Sequence, residues 1–340
     1  MIKNKFKEQF IGKDPFTDIL GQNITKEQIK SALLMDRHIL IIGPPGVGKT
    51  TIAKNVAALL PEIEVNDCQY NCDPKEPLCP SCKSKKQKTK KIKGTERLVR
   101  LQGSPDLTVE DILGDIDPIK ALKFGPASLE AFTPGKIFKA NNGILFFDEV
   151  NRCPEKLQNA LLQVLQEGRA TIGSYTIDLP ANFIFIGTMN PEETAATERL
   201  SDVFLDRFDA VHMTYPENIN IETEIVLDKG KKTDVQFPKE LLSLTINFVR
   251  LLREHKDLLK KPSVRASIGL YERAQANALL AGRKKVNAED ISKAVISVLS
   301  HRIELKPSVK YLQTTEEFLG TEFKSFCSEH KEMEESGGCL

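Results

Sequence analysis

The segment Gly43 to Thr50 reads GPPGVGKT, and it restricts the fold of this chain more than any other stretch. It follows the apolar run Ile39 to Ile42 and precedes a helical run, Thr51 to Leu60. Strand, glycine-spaced loop and helix in that order make a phosphate-binding turn of a parallel α/β sheet. Gly43 and Gly48 let the backbone curl until successive N–H groups face one centre, and the helix start adds partial positive charge there. Lys49 supplies a full charge between the β- and γ-phosphates, and the Thr50 hydroxyl can ligate Mg²⁺. Pro44, Pro45, Gly46, Val47 and Thr51 complete the candidate nucleotide-binding set. No guanine-reading signature is present, so ATP is the expected nucleotide.

A second apolar strand ends in acids at Gly143 to Val150, GILFFDEV. It places Asp148 and Glu149 at the carboxyl edge of the sheet, where ligands bind in open α/β folds. Asp148 is expected to hold Mg²⁺ through its water shell, and Glu149 to polarise the water that attacks the γ-phosphate. A third strand, Phe183 to Ile186, runs into Asn190, which either orients that water or, as an Asn before Pro191, forms a turn. Arg207 in LDRF and Arg265 in SVRASI are candidates to neutralise transition-state charge, though spacing alone fits a surface ion-pair partner better for either.

Five runs rich in Ile, Val and Phe alternate with helical segments: Ile39 to Ile42, Leu98 to Leu101, Ile144 to Phe147, Phe183 to Ile186 and Val211 to Tyr215. They predict a parallel sheet between layers of helices. From about Phe237 only helical spacing is evident, as in Leu241, Leu244, Thr245 and Phe248, and again in Ile291, Val295 and Val298. Asn287 followed by Asp290 marks a helix start and Gly282 the end of the helix before it. The expected organisation is an α/β domain over residues 1–216 with a Cys/Lys-rich insertion at 66–94. A helical domain over 217–305 and a polar, partly disordered tail over 306–340 follow. A length of 340 residues suits two domains. With 48 Lys+Arg against 47 Asp+Glu, the chain as a whole has no charge to draw it to nucleic acid or acidic lipid. No apolar run approaches the ~20 residues that cross a bilayer, and Met1 to Lys13 lacks a signal-peptide core, so a cytoplasmic protein is expected.

Four of the seven cysteines, Cys68, Cys72, Cys79 and Cys82, fall in one short stretch with the spacing C-x3-C-x6-C-x2-C. The final pair, with Pro80 between, resembles a metal knuckle, and four thiolates suit a closed tetrahedral Zn²⁺ site. An iron–sulfur cluster, whose usual spacings this one does not match, redox pairing and unligated thiols are the alternatives. Lys83 to Lys93 (KSKKQKTKKIK) then carries seven lysines in eleven residues. Such a run is a solvated loop or a sequence-blind electrostatic contact; no aromatic residue interleaves it to stack on bases.

Together these motifs resemble the AAA+ ATPases, within them the branch of the magnesium chelatase ATPase subunit and the MoxR-type ATPases. The resemblance spans about Pro15 to Ile303. Its pieces are PFTDILGQ (Pro15 to Gln22), LLPEIEV with the CDP segment (Leu59 to Pro74), FTPGKIFKANNGILFFDEVN (Phe132 to Asn151), GTMNPEE (Gly187 to Glu193) and LDRF (Leu205 to Phe208). It implies a five-stranded core with helical hairpin insertions, near Asp106 to Gly125 and Ala170 to Leu179, and an all-α lid. It also implies self-assembly into a ring, a hexamer in this family, with nucleotide sites between neighbours. On matching positions Asn190 takes the sensor-1 role, Arg207 the finger reaching the next subunit, and Arg265 the sensor-2 role; Ile19, Leu20 and Gly21 lie near the adenine. Arg199 is a further arginine near the interface. The loop GPPGVGKT and the segment Asn151 to Gly168 look closer to MoxR-type proteins than to chelatase subunits. Three functions are therefore open: the motor of a metal chelatase acting with partner subunits, a MoxR-type remodelling ATPase with a metal-adhesion-domain partner, and a nucleic-acid translocase.

Overall fold

The computed structural model describes residues 6–85, 87–126, 128–172, 175–191, 200–330 and 333, with the backbone alone at 170–172 and 175–180. The chain divides into two units, one of Met1–Gly43 and Gly48–Met213, the other of Pro44–Val47 and Thr214–Leu340.

The first unit is built on β1 (His38–Ile42), β2 (Leu98–Gln102), β3 (Ile144–Asp148), β4 (Ile184–Met189) and β5 (Phe208–His212). They form one sheet in the order β5-β1-β4-β3-β2, and every adjacent pair is parallel. β1, β4 and β3 are buried along nearly their whole length. Strands covered on both faces need apolar side chains at every position, so these three read as unbroken apolar runs. β5 is an edge strand. It lies three residues earlier than the run Val211 to Tyr215 predicts, because burial is interrupted there, with Phe208 and Val211 buried and Asp209, Ala210 and His212 between and after them partly or fully exposed. Met213 N–H still donates to Ile42 O at 2.8 Å before the chain passes into the second unit.

Three helices of the first unit carry the argument below: α1 (Asn23–Leu34), α2 (Lys49–Leu59) and α3 (Glu155–Glu167). α2 buries Ile52, Ala53, Val56 and Ala57, a single helical face. α3 buries Leu157, Leu161 and Val164 in the same core as Leu40, Leu145, Phe147 and Phe185. Three antiparallel hairpins interrupt the α/β pattern. Gly114–Ile116 pairs with Phe132–Pro134 and carries the short helix Pro118–Phe124, so the first insertion runs further than Gly125. Arg169–Ile172 pairs with Tyr175–Pro180, at the place expected for the second. Ile63–Asn66 pairs with Thr89–Ile92, and the cysteines lie between them.

The second unit contains α4 (Ile219–Lys229), α5 (Lys239–Glu254), α6 (Val264–Leu280), α7 (Ala288–Leu299) and α8 (Thr315–Glu329). Asn287 caps α7: its side chain accepts from Asp290 N–H at 3.1 Å while the Asp290 carboxylate accepts from Asn287 N–H at 3.0 Å. Gly282, at φ +68°, ends α6 in the left-handed conformation that a glycine adopts without strain. Two sequence expectations fail here. A short antiparallel pair, Leu258–Lys260 with Glu304–Leu305, lies among the helices, its Leu258 and Leu305 buried. The tail from residue 306 is not merely polar: α8 buries Phe318, Leu319, Phe323, Phe326 and Cys327 in the same cluster as α5, α6 and α7. An apolar face spaced at three and four residues outweighs the polar average of that segment. Residues 334–340, including Cys339, and Arg199 lie outside the described residues. Among the described residues, no helix is long and apolar enough to cross a membrane.

Candidate nucleotide-hydrolysis site

The phosphate loop leaves the carboxyl end of β1 between β4 and β5. Gly43 N–H donates to Met189 O at 3.1 Å on one side, and a Cβ at Gly43 would run into the Met213 carbonyl on the other. Gly46 and Gly48 stand at φ +77° and +102°, the left-handed region that turns successive N–H groups inward. Gly48 caps α2, so Lys49, Thr50 and Thr51 form its first turn. An eleven-residue helix starting here adds its positive end to the loop. The Lys49 ammonium donates to Gly43 O, which brings its charge back over the loop. Ile19 is buried, with its Cδ1 3.2 Å from where a Gly48 Cβ would stand; Leu20 is half-buried beside it.

The acids arrive on β3. Register pairs Gly187 of β4 with Phe147 and Gln102 of β2 with Asp148, so the strands end along one edge with Gly43 and Asn190. The Thr188 hydroxyl, fully buried, donates to Asp148 Oδ1 at 2.7 Å and accepts from Glu149 N–H at 2.9 Å. Arg100 binds Asp148 Oδ2 at 2.6 Å. Gln102 Nε2 donates to Glu149 Oε2 at 3.0 Å, and Arg152 Nε lies 3.1 Å from the same oxygen. Glu149 itself is at φ +57°, a conformation that non-glycine residues adopt rarely. Gly103 is required alongside, since a Cβ there would strike the Glu149 carbonyl. Asn190 follows β4 directly and is half-buried at the same edge.

These residues fit a magnesium–nucleotide pair. A helix-capped glycine loop and Lys49 suit the phosphates, Thr50 and Asp148 offer oxygen to Mg²⁺, and a bound Mg²⁺ would neutralise charge on the β- and γ-oxygens. Thr188, Arg100, Gln102 and Arg152 escaped the sequence reading as site residues. Only Arg152, three residues after Glu149, left a local signal; the other three reach the acids through strand pairing.

The two arginines belong to different units. Arg265, exposed, opens α6 in the second unit, where its Cγ would sit 3.3 Å from a Cβ on Gly46 of that same unit. Arg207 immediately precedes β5 and so sits at the amino edge of the sheet, about 16 Å of strand away from the loop side. With its amide oxygen turned toward the guanidinium, Gln166 of α3 accepts from Arg207 Nε at 3.2 Å.

The four cysteines converge: the Sγ atoms of Cys68, Cys72, Cys79 and Cys82 all lie within 4.8 Å of one another. Burial pushes the Cys72 thiol up to about 11. The lysine run beside them is partly structured, since Thr89–Ile92 is a strand and Lys90 pairs with Asp67 at 2.7 Å on the surface.

Comparison with known proteins agrees with this geometry. The family model "Magnesium chelatase, subunit ChlI" matches residues 15–90. The "ATPase family associated with various cellular activities (AAA)" matches 77–210, and the AAA lid domain 253–319. The magnesium-chelatase subunit ChlI of Nephroselmis olivacea is 32% identical over 330 residues, covering 86% of this chain and 89% of the relative. The chain belongs to the magnesium chelatase ChlI family of AAA+ ATPases. Chloroplastic ChlI-2 of Arabidopsis thaliana is 30% identical, with 86% and 76% covered. Among solved structures, one described as a complex between subunits BchI and BchD of magnesium chelatase aligns at TM-score 0.50 and 26% identity over 88% of this chain and 98% of that one. A RuvB variant from Thermotoga maritima, 16% identical at TM-score 0.51 over 86% and 74%, shares the fold. As a ChlI-family member the chain is an ATP hydrolase, and ATP and Mg²⁺ are its cofactors.

Proposed function

We propose that this ATPase is the motor of a metal chelatase, a ring subunit whose turnover drives partner subunits to insert Mg²⁺ or a similar ion into a tetrapyrrole. The observation that carries the reading is the separation of Arg207 from the loop edge of its own sheet. An arginine on the opposite edge serves a neighbour's γ-phosphate, so hydrolysis requires two subunits to close and each event moves one against the next. A head-to-tail contact of this kind, repeated by rotation, closes into a ring, with a hexamer as the proposed size. Within each site Glu149 orients the attacking water, Asn190 senses the γ-phosphate, Arg265 reports from the lid, and Ile19 and Leu20 meet the adenine. The complex of BchI with BchD supports chelatase-type partners, and the proposed location of the motor is the cytoplasm.

The test mixes two inactive variants. Glu149→Gln keeps a finger to donate but cannot hydrolyse; Arg207→Ala keeps a complete loop but donates nothing, and alone should lose on the order of 10³-fold in kcat. Their mixture should regain ATPase activity if Arg207 acts between subunits. A mixture as inactive as its parts would defeat the ring reading. The Pro44–Pro45 form of the loop favours a MoxR-type remodelling role as the second reading. Stimulation of turnover by a tetrapyrrole-binding subunit supports the chelatase, and stimulation by a metal-adhesion-domain protein alone supports the second.

A further inference from the structure

We propose that Cys68, Cys72, Cys79 and Cys82 bind one Zn²⁺ in a closed tetrahedral site that fixes the connection between Ile63–Asn66 and Thr89–Ile92. This goes beyond the ATPase reading and does not depend on it. The sulfurs already stand within 4.8 Å of one another, with no rearrangement of the chain required to bring them together. Four thiolates at the Zn–S bond length of about 2.3 Å place sulfurs about 3.8 Å apart, so a small contraction completes the tetrahedron. Polynuclear iron–sulfur clusters hold their ligating sulfurs further apart than one ion does, which favours a single metal. None of the four is in a disulfide.

The backbone supplies the surrounding donors. Cys68 Sγ accepts from Cys72 N–H at 3.4 Å, and Cys72 Sγ accepts from the N–H groups of Leu78 at 3.3 Å and Cys79 at 3.4 Å. These bonds reach the first cysteine pair, Cys68 and Cys72. N–H groups aimed at sulfur stabilise thiolate ligands and hold their orientation. Cys72, Cys79 and Cys82 are buried, so the site is closed and carries no open position for substrate.

The connection needs such a device. Between Asn66 and Thr89 the only regular element among the described residues is the short helix Pro80–Ser84. Structureless connections of this length inside a domain are uncommon. This one is rich in charge, and its anchors are the cysteines together with Tyr70, whose ring packs 6.0 Å from Phe138 of the core. A metal bound there would tie the hairpin carrying the lysines to the body of the first unit.

The test is metal analysis of the full chain, purified without a histidine tag from cells supplied with zinc. Roughly one zinc per chain is expected, together with the absorption of a four-thiolate tetrahedral site after replacement by cobalt. Cys82→Ser should lose the zinc and open the 83–93 segment to trypsin at least about tenfold faster. Cys153→Ala, outside the cluster, should keep both properties. Should the Cys82→Ser protein not fold, zinc removal from the unaltered chain by a chelator gives the same trypsin readout. Iron in place of zinc, disulfides among the four, or four reactive thiols with no bound metal would each overturn the proposal.

Discussion

Thr188 serves both acids at once. Its hydroxyl hydrogen goes to Asp148 and its lone pair receives the Glu149 N–H, so one buried side chain fixes Asp148 and Glu149, the proposed magnesium ligand and the proposed water-orienting residue, relative to each other. Thr188→Val keeps the shape and removes both bonds. Leaving buried polar groups unpaired costs about 1–3 kcal/mol, and the loosened acids should lower kcat by roughly tenfold or more. Urea unfolding and steady-state turnover check the two effects separately, and full turnover would deny Thr188 its positioning role. A second residue links stability to pH. His38 is held neutral: burial, then the neighbouring Arg37, push it down to about 4, and its Nδ1 accepts from Phe185 N–H at 3.1 Å. A pKa below the unfolded value of 6.5 means the contribution is complete above that pH and is lost as pH falls toward 4. The loss amounts to roughly 3 kcal/mol. Urea midpoints between pH 7 and 4 should show it, and His38→Asn, which still accepts but does not titrate, should flatten that part of the profile. At this scale Lys49, Asp148 and Glu149 were legible because their signal is local. Thr188, Arg100 and Gln102 were not, because only register brings them to the acids.

Among the elements, α4, α5 and α6 are joined by a buried ion pair. Glu222 is fully buried and receives two bonds of 2.6 Å from Arg253, another of 2.6 Å from the Ser267 hydroxyl, and Arg250 at 3.4 Å. Arg253 also donates to Pro262 O at 2.9 Å and lies 4.7 Å over the Tyr215 ring. Removing one partner strands the other charge in a dry interior, so Glu222→Ala should destabilise the helical unit by about 3–5 kcal/mol. A lower melting transition in calorimetry tests this; an unchanged one would mean that water relaxes into the site. Legibility differed from element to element. The central strands were readable, because a strand covered on both faces must be apolar throughout. The edge strand β5 was misplaced by three residues because its interrupted burial gives no continuous apolar run. α8 was read as tail because its buried phenylalanines are diluted by Glu and Lys, although Phe318, Leu319, Phe323 and Phe326 mark one face.

For the whole molecule, the proposed ring makes catalysis a property of assembly. Each site lacks its arginine until a neighbour arrives, so specific ATPase activity should fall on dilution, in step with the loss of oligomer seen by sedimentation. Constant activity down to a dispersed monomer would contradict the reading. The pairing of β5 with β1 carries a last consequence. Arg207 directly precedes one strand and Gly43 directly follows the other, so in the proposed ring each subunit would receive on one rim what it offers on the opposite rim. The clockwise neighbour is then never equivalent to the anticlockwise one. News of a spent phosphate would pass around the proposed circle in a single sense, along a strand five residues long.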